Sequence, residues 1–380
     1  MSLINYLTRI QFDFGASSLI SEELSLLGVS RPLIVTDVGI VKAGLIEKIK
    51  VAAGLSANTP LYDGTPENPD ENAVLKARDQ FLSEGCDSII AVGGGSSLDL
   101  AKAVSLLATH HGALEQYAAI LGGIGKITRD KPPVVAVPTT SGTGSEVGRA
   151  ALITLNDGRK LGFISPYMIP EVAICDPDLT LGLPAYLTAA TGMDAVTHCI
   201  ETFLSPRENA PAEAIALDGL ARAVRYLERA VKDGGDREAR REMMMASLEG
   251  GLTFQKGLGA VHGMSHALGG LKPLRLHHGT LNAVILPSVL RFNEPYAEEK
   301  YGRLRIAMGL ADGADVAEAI ERLSQSLGLP STLGEMGVHA DSLPLMVDRA
   351  MADHSTATNA RPVSAEDYAA LFRTCMGSGQ

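Results

Sequence analysis

Four of the chain's nine histidines, His262, His266, His277 and His278, fall within residues 261–280. Upstream, Asp194 and His198 lie four residues apart in GMDAVTHCIE, and His262 and His266 repeat that interval. On a helix, an i, i+4 pair shares one face, so a carboxylate and an imidazole there can reach the same ion. A carboxylate with several imidazoles and no thiolate suits a divalent first-row metal such as Fe(II), Zn(II) or Mn(II) better than Ca or Mg. The spacing by itself offers both His262 and His266 as ligands.

A second kind of chemistry sits earlier in the chain. Gly93 to Ser96 follows a β-branched run and opens a helical pattern. Glycines there let a phosphate approach the backbone, where first-turn N–H groups and the helix dipole stabilise its charge. The triplet is not a GxGxxG fingerprint. A second loop, Thr139 to Ser145, adds hydroxyls and glycines after another strand, and the two loops together suit a pyrophosphate and a ribose. Asp37 ends an earlier strand, where an acidic residue can meet an adenosine ribose or simply cap a helix.

These residues need elements to hold them. Strands are predicted at Pro32 to Asp37, Ser88 to Val92, Pro133 to Val137 and Val172 to Cys175, with helical stretches between. A hairpin is predicted from Ala151 through the Asp157-Gly158 turn to Ile164. Strands alternating with helices indicate a mainly parallel sheet with ligands at the strands' carboxyl ends. After Leu183-Pro184 the pattern is helical throughout. The predicted architecture is therefore an α/β domain over residues 1–183 and an all-helical domain over 184–380, with the small-molecule site in a cleft between them.

Composition narrows the function classes. Hydrophobic residues make up 46% and charged residues 20%, enough apolar material for a full core. The net charge of −11, with no run of basic residues, argues against nucleic acid or an anionic membrane as partner. No apolar run reaches the roughly 18 residues of a membrane span. The N-terminus lacks signal-peptide features. Four cysteines without a CxxC pair point to reduced thiols and a cytoplasmic protein.

GGGSSLDLAKA, PTTSGTGSEV, DPDLTLGLP, TGMDAVTHCIE, HGMSHALGG and HHG resemble the iron-containing (group III) alcohol dehydrogenases, from Pro66 to Pro362. The resemblance implies a Rossmann-like NAD-binding domain followed by a helical metal-binding domain. Gly94, Gly95, Ser96 and Asp99 would meet the pyrophosphate. Thr139, Thr140, Thr143 and Ser145 would line the rest of the cofactor, with Lys160 at the ribose and Asp37 favouring NAD over NADP. The ligands of Fe(II) or Zn(II) would be Asp194, His198, His262 and the histidine before the HG glycine, His278. His266 becomes a pocket histidine that relays the alcohol proton. The segment before His278 is about two residues longer than is usual in the family, and its doubled histidine keeps His277 open as the fourth ligand. Gly148 replaces a common threonine near the nicotinamide.

The implied activity is reversible oxidation of an alcohol, with the metal polarising the alcohol oxygen and hydride passing to nicotinamide C4. A homodimer or higher homo-oligomer is expected. Lys256, Lys272 and Arg275, with His277, surround the metal-binding stretch as candidate contacts for an anionic substrate tail, which would make the substrate a short hydroxy-acid or its semialdehyde. An uncharged alcohol leaves the same cations as surface charges. The alternative activity is an NAD- and metal-dependent lyase of the dehydroquinate-synthase type, which would need a dense cationic phosphate pocket. A non-enzymatic nucleotide-binding protein is a third reading.

Overall fold

The computed structural model describes residues 6, 8–271 and 274–377. Lys272 lies outside them. Among the described residues eight strands run β1 Arg9–Phe12, β2 Pro32–Val35, β3 Leu61–Tyr62, β4 Ser88–Gly93, β5 Val134–Pro138, β6 Ala150–Thr154, β7 Lys160–Ile164 and β8 Val172–Cys175. Six form a parallel sheet in the order β1-β8-β5-β4-β2-β3. β6 and β7 pair antiparallel as the predicted hairpin, and Gly158 takes the turn at φ 86°. The sequence reading missed β1 and β3. β3 has only two residues, and β1 is a four-residue edge strand, too short for alternation to be read.

The strands alternate between two apolar clusters. Leu33, Val35, Ile89, Ala91, Val134 and Ala136 face one side. Ile34, Ile90, Val92, Val135, Val137, Val172 and Ile174 face the other. Burial on both faces is why these strands read as unbroken apolar runs. The topology also sets β2, β4 and β5 side by side, so Asp37, Gly94 and Thr139 follow the carboxyl ends of three neighbouring strands.

The described chain divides into two compact units. One comprises residues 6–140 and 144–182; the other comprises 141–143 and the helices from Leu183 onward. The triplet Ser141 to Thr143 thus joins the helical unit, out of order in the sequence. Gly142 explains this: a Cβ there would come 2.5 Å from the Thr191 carbonyl oxygen, so only glycine lets the strand-end loop lie against that helix. No described helix is long and apolar enough to cross a membrane.

Helix α1, Gly95–Thr109, carries a buried clamp. Lys102 Nζ donates to Ser145 Oγ at 2.7 Å, the Ala150 carbonyl at 2.9 Å and the Gly148 carbonyl at 3.0 Å. Three donors meet three acceptors, so the ammonium is satisfied inside the core. Burial still pulls Lys102 down to about 8, against Asp99 and Glu146. Burial likewise pushes neighbouring Glu146 up to about 7, with Lys102 opposing. A carboxyl whose folded pKa is raised binds its proton more tightly folded than unfolded. Its contribution to stability is therefore lost as pH rises from the unfolded value through about 7. Relative to wild type, Glu146→Gln is expected to gain roughly 2–3 kcal/mol of unfolding free energy between pH 4.5 and pH 8. Urea titrations at both pH values measure this, and a variant-to-wild-type difference that does not change with pH refutes it.

Candidate metal centre and cofactor cradle

Three helices build the histidine site: α2 Ala185–Leu204, α3 Ala260–Gly269 and α4 His278–Asn293. On α2, Asp194, His198 and Glu201 recur at helical spacing and are all buried. His198 Nε2 lies 3.5 Å from Asp194 Oδ1, His278 Nε2 3.6 Å and His262 Nε2 3.8 Å. The ligand atoms of Asp194, His262 and His278 all fall within 4.8 Å of one another. Bonds of about 2.0–2.2 Å to one zinc-like ion would require separations of this order.

The far side of each imidazole decides whether its lone pair faces inward. His262 Nδ1 donates to Glu201 Oε2 at 2.6 Å, and His198 Nδ1 to the Gly142 carbonyl at 3.1 Å. With the proton held on Nδ1, each Nε2 presents a lone pair to the Asp194 side. Burial lowers His198 to about 4 despite Asp194, so it is neutral at physiological pH. Burial also works against charge on His262, but Glu201, Asp194 and Asp353 outweigh it and raise that ring. Glu201 Oε1 accepts from the Val261 N–H at 2.7 Å as well, satisfying an open donor at the start of α3.

α4 approaches α2 closely because its second residue is glycine. A Cβ on Gly279 would sit 2.1 Å from the Ala190 carbonyl oxygen and 3.3 Å from Asp194 Cβ. This contact carries His278 to Asp194. His277, one residue earlier, packs edge-on to Tyr186 at 6.5 Å between ring centres instead. His266 is not in the ligand cluster. Its Nδ1 bonds Asp353 Oδ2 at 2.9 Å, and its ring stacks on His278 at 5.4 Å. Burial would raise Asp353, but His266, His354 and the Ser355 N–H hold it far below the usual carboxylate range. Cys199 is buried, and burial pushes its thiol far up, so it offers no thiolate.

Lys256 requires correction. It is fully buried, with Nζ 2.7 Å from Glu213 Oε1 and 3.3 Å from the Phe203 carbonyl. A paired, buried ammonium is not available to a substrate carboxylate. Arg275 is exposed, three residues before His278.

In the other unit, Gly94 caps α1, and its missing Cβ would lie 3.4 Å from the Thr140 side chain. Gly93 adopts φ 144°, a conformation favouring glycine. Thr139 Oγ1 is buried and has no hydrogen-bond partner among the described residues. A glycine-lined helix start beside an unpaired buried hydroxyl suits a phosphate-bearing ligand. Asp37 caps the following helix through Ile40 N at 3.1 Å, while its Oδ2 has only a long 3.5 Å contact with Ser97 Oγ. Asp99 accepts from Ser145 Oγ at 2.6 Å and Leu152 N at 2.9 Å, so this pair ties the loop after β5 to the hairpin. Ser96 Oγ bonds the Glu67 carbonyl. Thr143 belongs with the helical unit and Lys160 opens β7.

The sequence reading overlooked Glu201 and Asp353 as partners of site histidines. Glu201 was detectable as the third polar residue on the Asp194–His198 face. Asp353 is 87 residues from its partner and left no local signal.

Residues 8–177 match the iron-containing alcohol dehydrogenase family, and residues 188–376 match its C-terminal family. The chain belongs to the iron-containing alcohol dehydrogenases. It is an oxidoreductase acting on CH–OH groups. It is 53% identical to a 4-hydroxybutyrate dehydrogenase of Cupriavidus necator, covering 99% of this chain and 100% of that one. It is 34% identical to an NAD-dependent methanol dehydrogenase of Bacillus methanolicus, covering 95% and 96%. The crystal structure of a 1,3-propanediol oxidoreductase superposes with a TM-score of 0.91 at 37% identity, covering 99% and 100%.

Gly279→Ala is expected to force α4 away from α2, lowering stability by roughly 1–3 kcal/mol as overpacking does and weakening metal retention through His278. Chemical unfolding and metal analysis of the purified variant check both. Full stability with full metal content would show that the contact does not set the site.

Proposed function

We propose that the chain is an NAD-linked, metal-dependent dehydrogenase of a short ω-hydroxy acid, working reversibly against the semialdehyde as a cytoplasmic homodimer. The observation that carries the metal chemistry is the convergence of Asp194, His198, His262 and His278, two of whose imidazoles have their outer nitrogens already held. Fe(II) or Zn(II) fits this oxygen-and-nitrogen set. Such an ion, held by these four residues, would supply Lewis acidity toward an alcohol oxygen, and NAD would supply the hydride acceptor.

The protein's own groups do the positioning. Glu201 and the Gly142 carbonyl keep the protons of His262 and His198 on Nδ1. Asp353 does the same for His266, leaving its Nε2 to take the alcohol proton and pass it outward. Gly94, Gly95, Thr139 and Thr140 would hold the cofactor's phosphates and ribose. Asp37 would accept from the adenosine ribose and repel a 2′-phosphate, which favours NAD. The acid tail is supported by the end-to-end similarity to a 4-hydroxybutyrate dehydrogenase. Of the two described sequence candidates, Lys256 and Arg275, the exposed Arg275 is the one left to receive it.

Protein stripped of metal and reloaded with Fe(II) or Zn(II) should reduce NAD with 4-hydroxybutyrate and do so poorly with 1-butanol or with NADP. Arg275→Ala should lose roughly 1.5–3 kcal/mol in kcat/KM on the hydroxy-acid alone. Equal losses on both substrates, or a wild type that prefers 1-butanol, would restore a neutral alcohol as substrate. For the fourth ligand, His278→Ala should lose bound metal and turnover while His277→Ala keeps the metal. Metal analysis giving the reverse would assign His277.

A further inference from the structure

Asn282 lies one turn into α4 beyond His278 and is fully buried. Its amide nitrogen is 2.7 Å from Asp194 Oδ1, 3.2 Å from His278 Nε2 and 3.3 Å from His262 Nε2. Chemistry fixes which end of the amide faces these atoms. A carbonyl oxygen turned the same way would confront the Asp194 carboxylate oxygen, whereas an NH2 group can donate to it. The carboxylate has the shortest of the three contacts and makes the strongest bond, because its oxygen carries charge.

The other end of the side chain is equally informative. Asn282 Oδ1 is buried with no hydrogen-bond partner among the described residues. A core position that only needed filling would be served by leucine, which has no polar atom to leave unpaired. The contacts of Asn282 with the histidine–aspartate cluster are the feature that accounts for an amide at this depth.

We propose that Asn282 is a positioning residue of the metal centre. Its amide holds Asp194 Oδ1 in the orientation in which the carboxylate faces His262 and His278, and so sets the affinity and geometry of the site. This rests on the metal-binding reading above. Asn282 reaches Asp194 from α4, whereas Glu201 and Gly142 act on imidazoles, so both the carboxylate and the imidazoles have dedicated partners.

Asn282→Leu and the smaller Asn282→Ala test this, with Zn(II) affinity read by competition against a chelating indicator and geometry read from the visible absorption of the Co(II) form. Both variants should keep wild-type helicity, bind Zn(II) roughly 10–100-fold more weakly and give shifted Co(II) bands. The alanine variant covers a leucine variant that fails to fold. Zn(II) affinity within twofold of wild type with unchanged Co(II) bands would make Asn282 a packing residue and overturn the proposal. Loss of binding as complete as that of Asp194→Ala would overturn it differently, by making Asn282 a ligand itself. Wild-type protein that takes up neither ion would overturn the metal reading, and this proposal with it.

Discussion

An imidazole can serve an ion only through an unprotonated nitrogen, so a three-histidine site depends on where each ring keeps its single proton. In this chain that choice is made outside the cluster. The Glu201 carboxylate takes the Nδ1 proton of His262, and the Gly142 carbonyl takes that of His198. Both Nε2 atoms then converge on Asp194. Much of the helical unit's local architecture follows from serving these two bonds. Glu201 ties the start of α3 to α2, and Gly142 must be glycine for its carbonyl to come within reach of His198.

The α/β unit meets a different constraint, that of presenting backbone donors and hydroxyls at the ends of three adjacent strands. The sheet achieves this by burying both faces, so β2, β4 and β5 are held rigidly at neighbouring registers. The loop after β5 carries five hydroxyl residues and three glycines between Thr139 and Gly148, and most of them are buried. Lys102 and Asp99 on α1 both bond this loop at Ser145 Oγ. An ammonium buried against three acceptors is costly to place and tolerates little displacement. Asp99 and Ser145 therefore have a structural task that does not depend on any ligand.

Charge in the helical unit is distributed with similar economy. Glu213 gathers Lys256, Lys300 and Arg303, and Lys300 and Arg303 also lie over the Phe203 ring. Three cations are thereby committed to one carboxylate and one aromatic face. Lys256, close in sequence to the histidine-rich stretch, is thus already buried and paired. Arg275, by contrast, is exposed.

The amino-acid sequence alone determined the alternation of buried strands, the switch to helix after Leu183, and the two i, i+4 pairs on α2 and α3. These depend on side-chain periodicity within one element, which is local and therefore legible. The family motifs supplied the architecture and the expected ligand set. Only the tertiary structure decided that His278 rather than His277 meets Asp194, that His266 turns to Asp353, and that Lys256 is neutralised. It also brought Asn282 beside Asp194, His262 and His278, and Ser141 to Thr143 into the helical unit. Each of these depends on how closely two distant elements approach, which is set by steric allowances such as the missing Cβ atoms of Gly142 and Gly279. Periodicity states which residues share a face, but not which other face will be pressed against it.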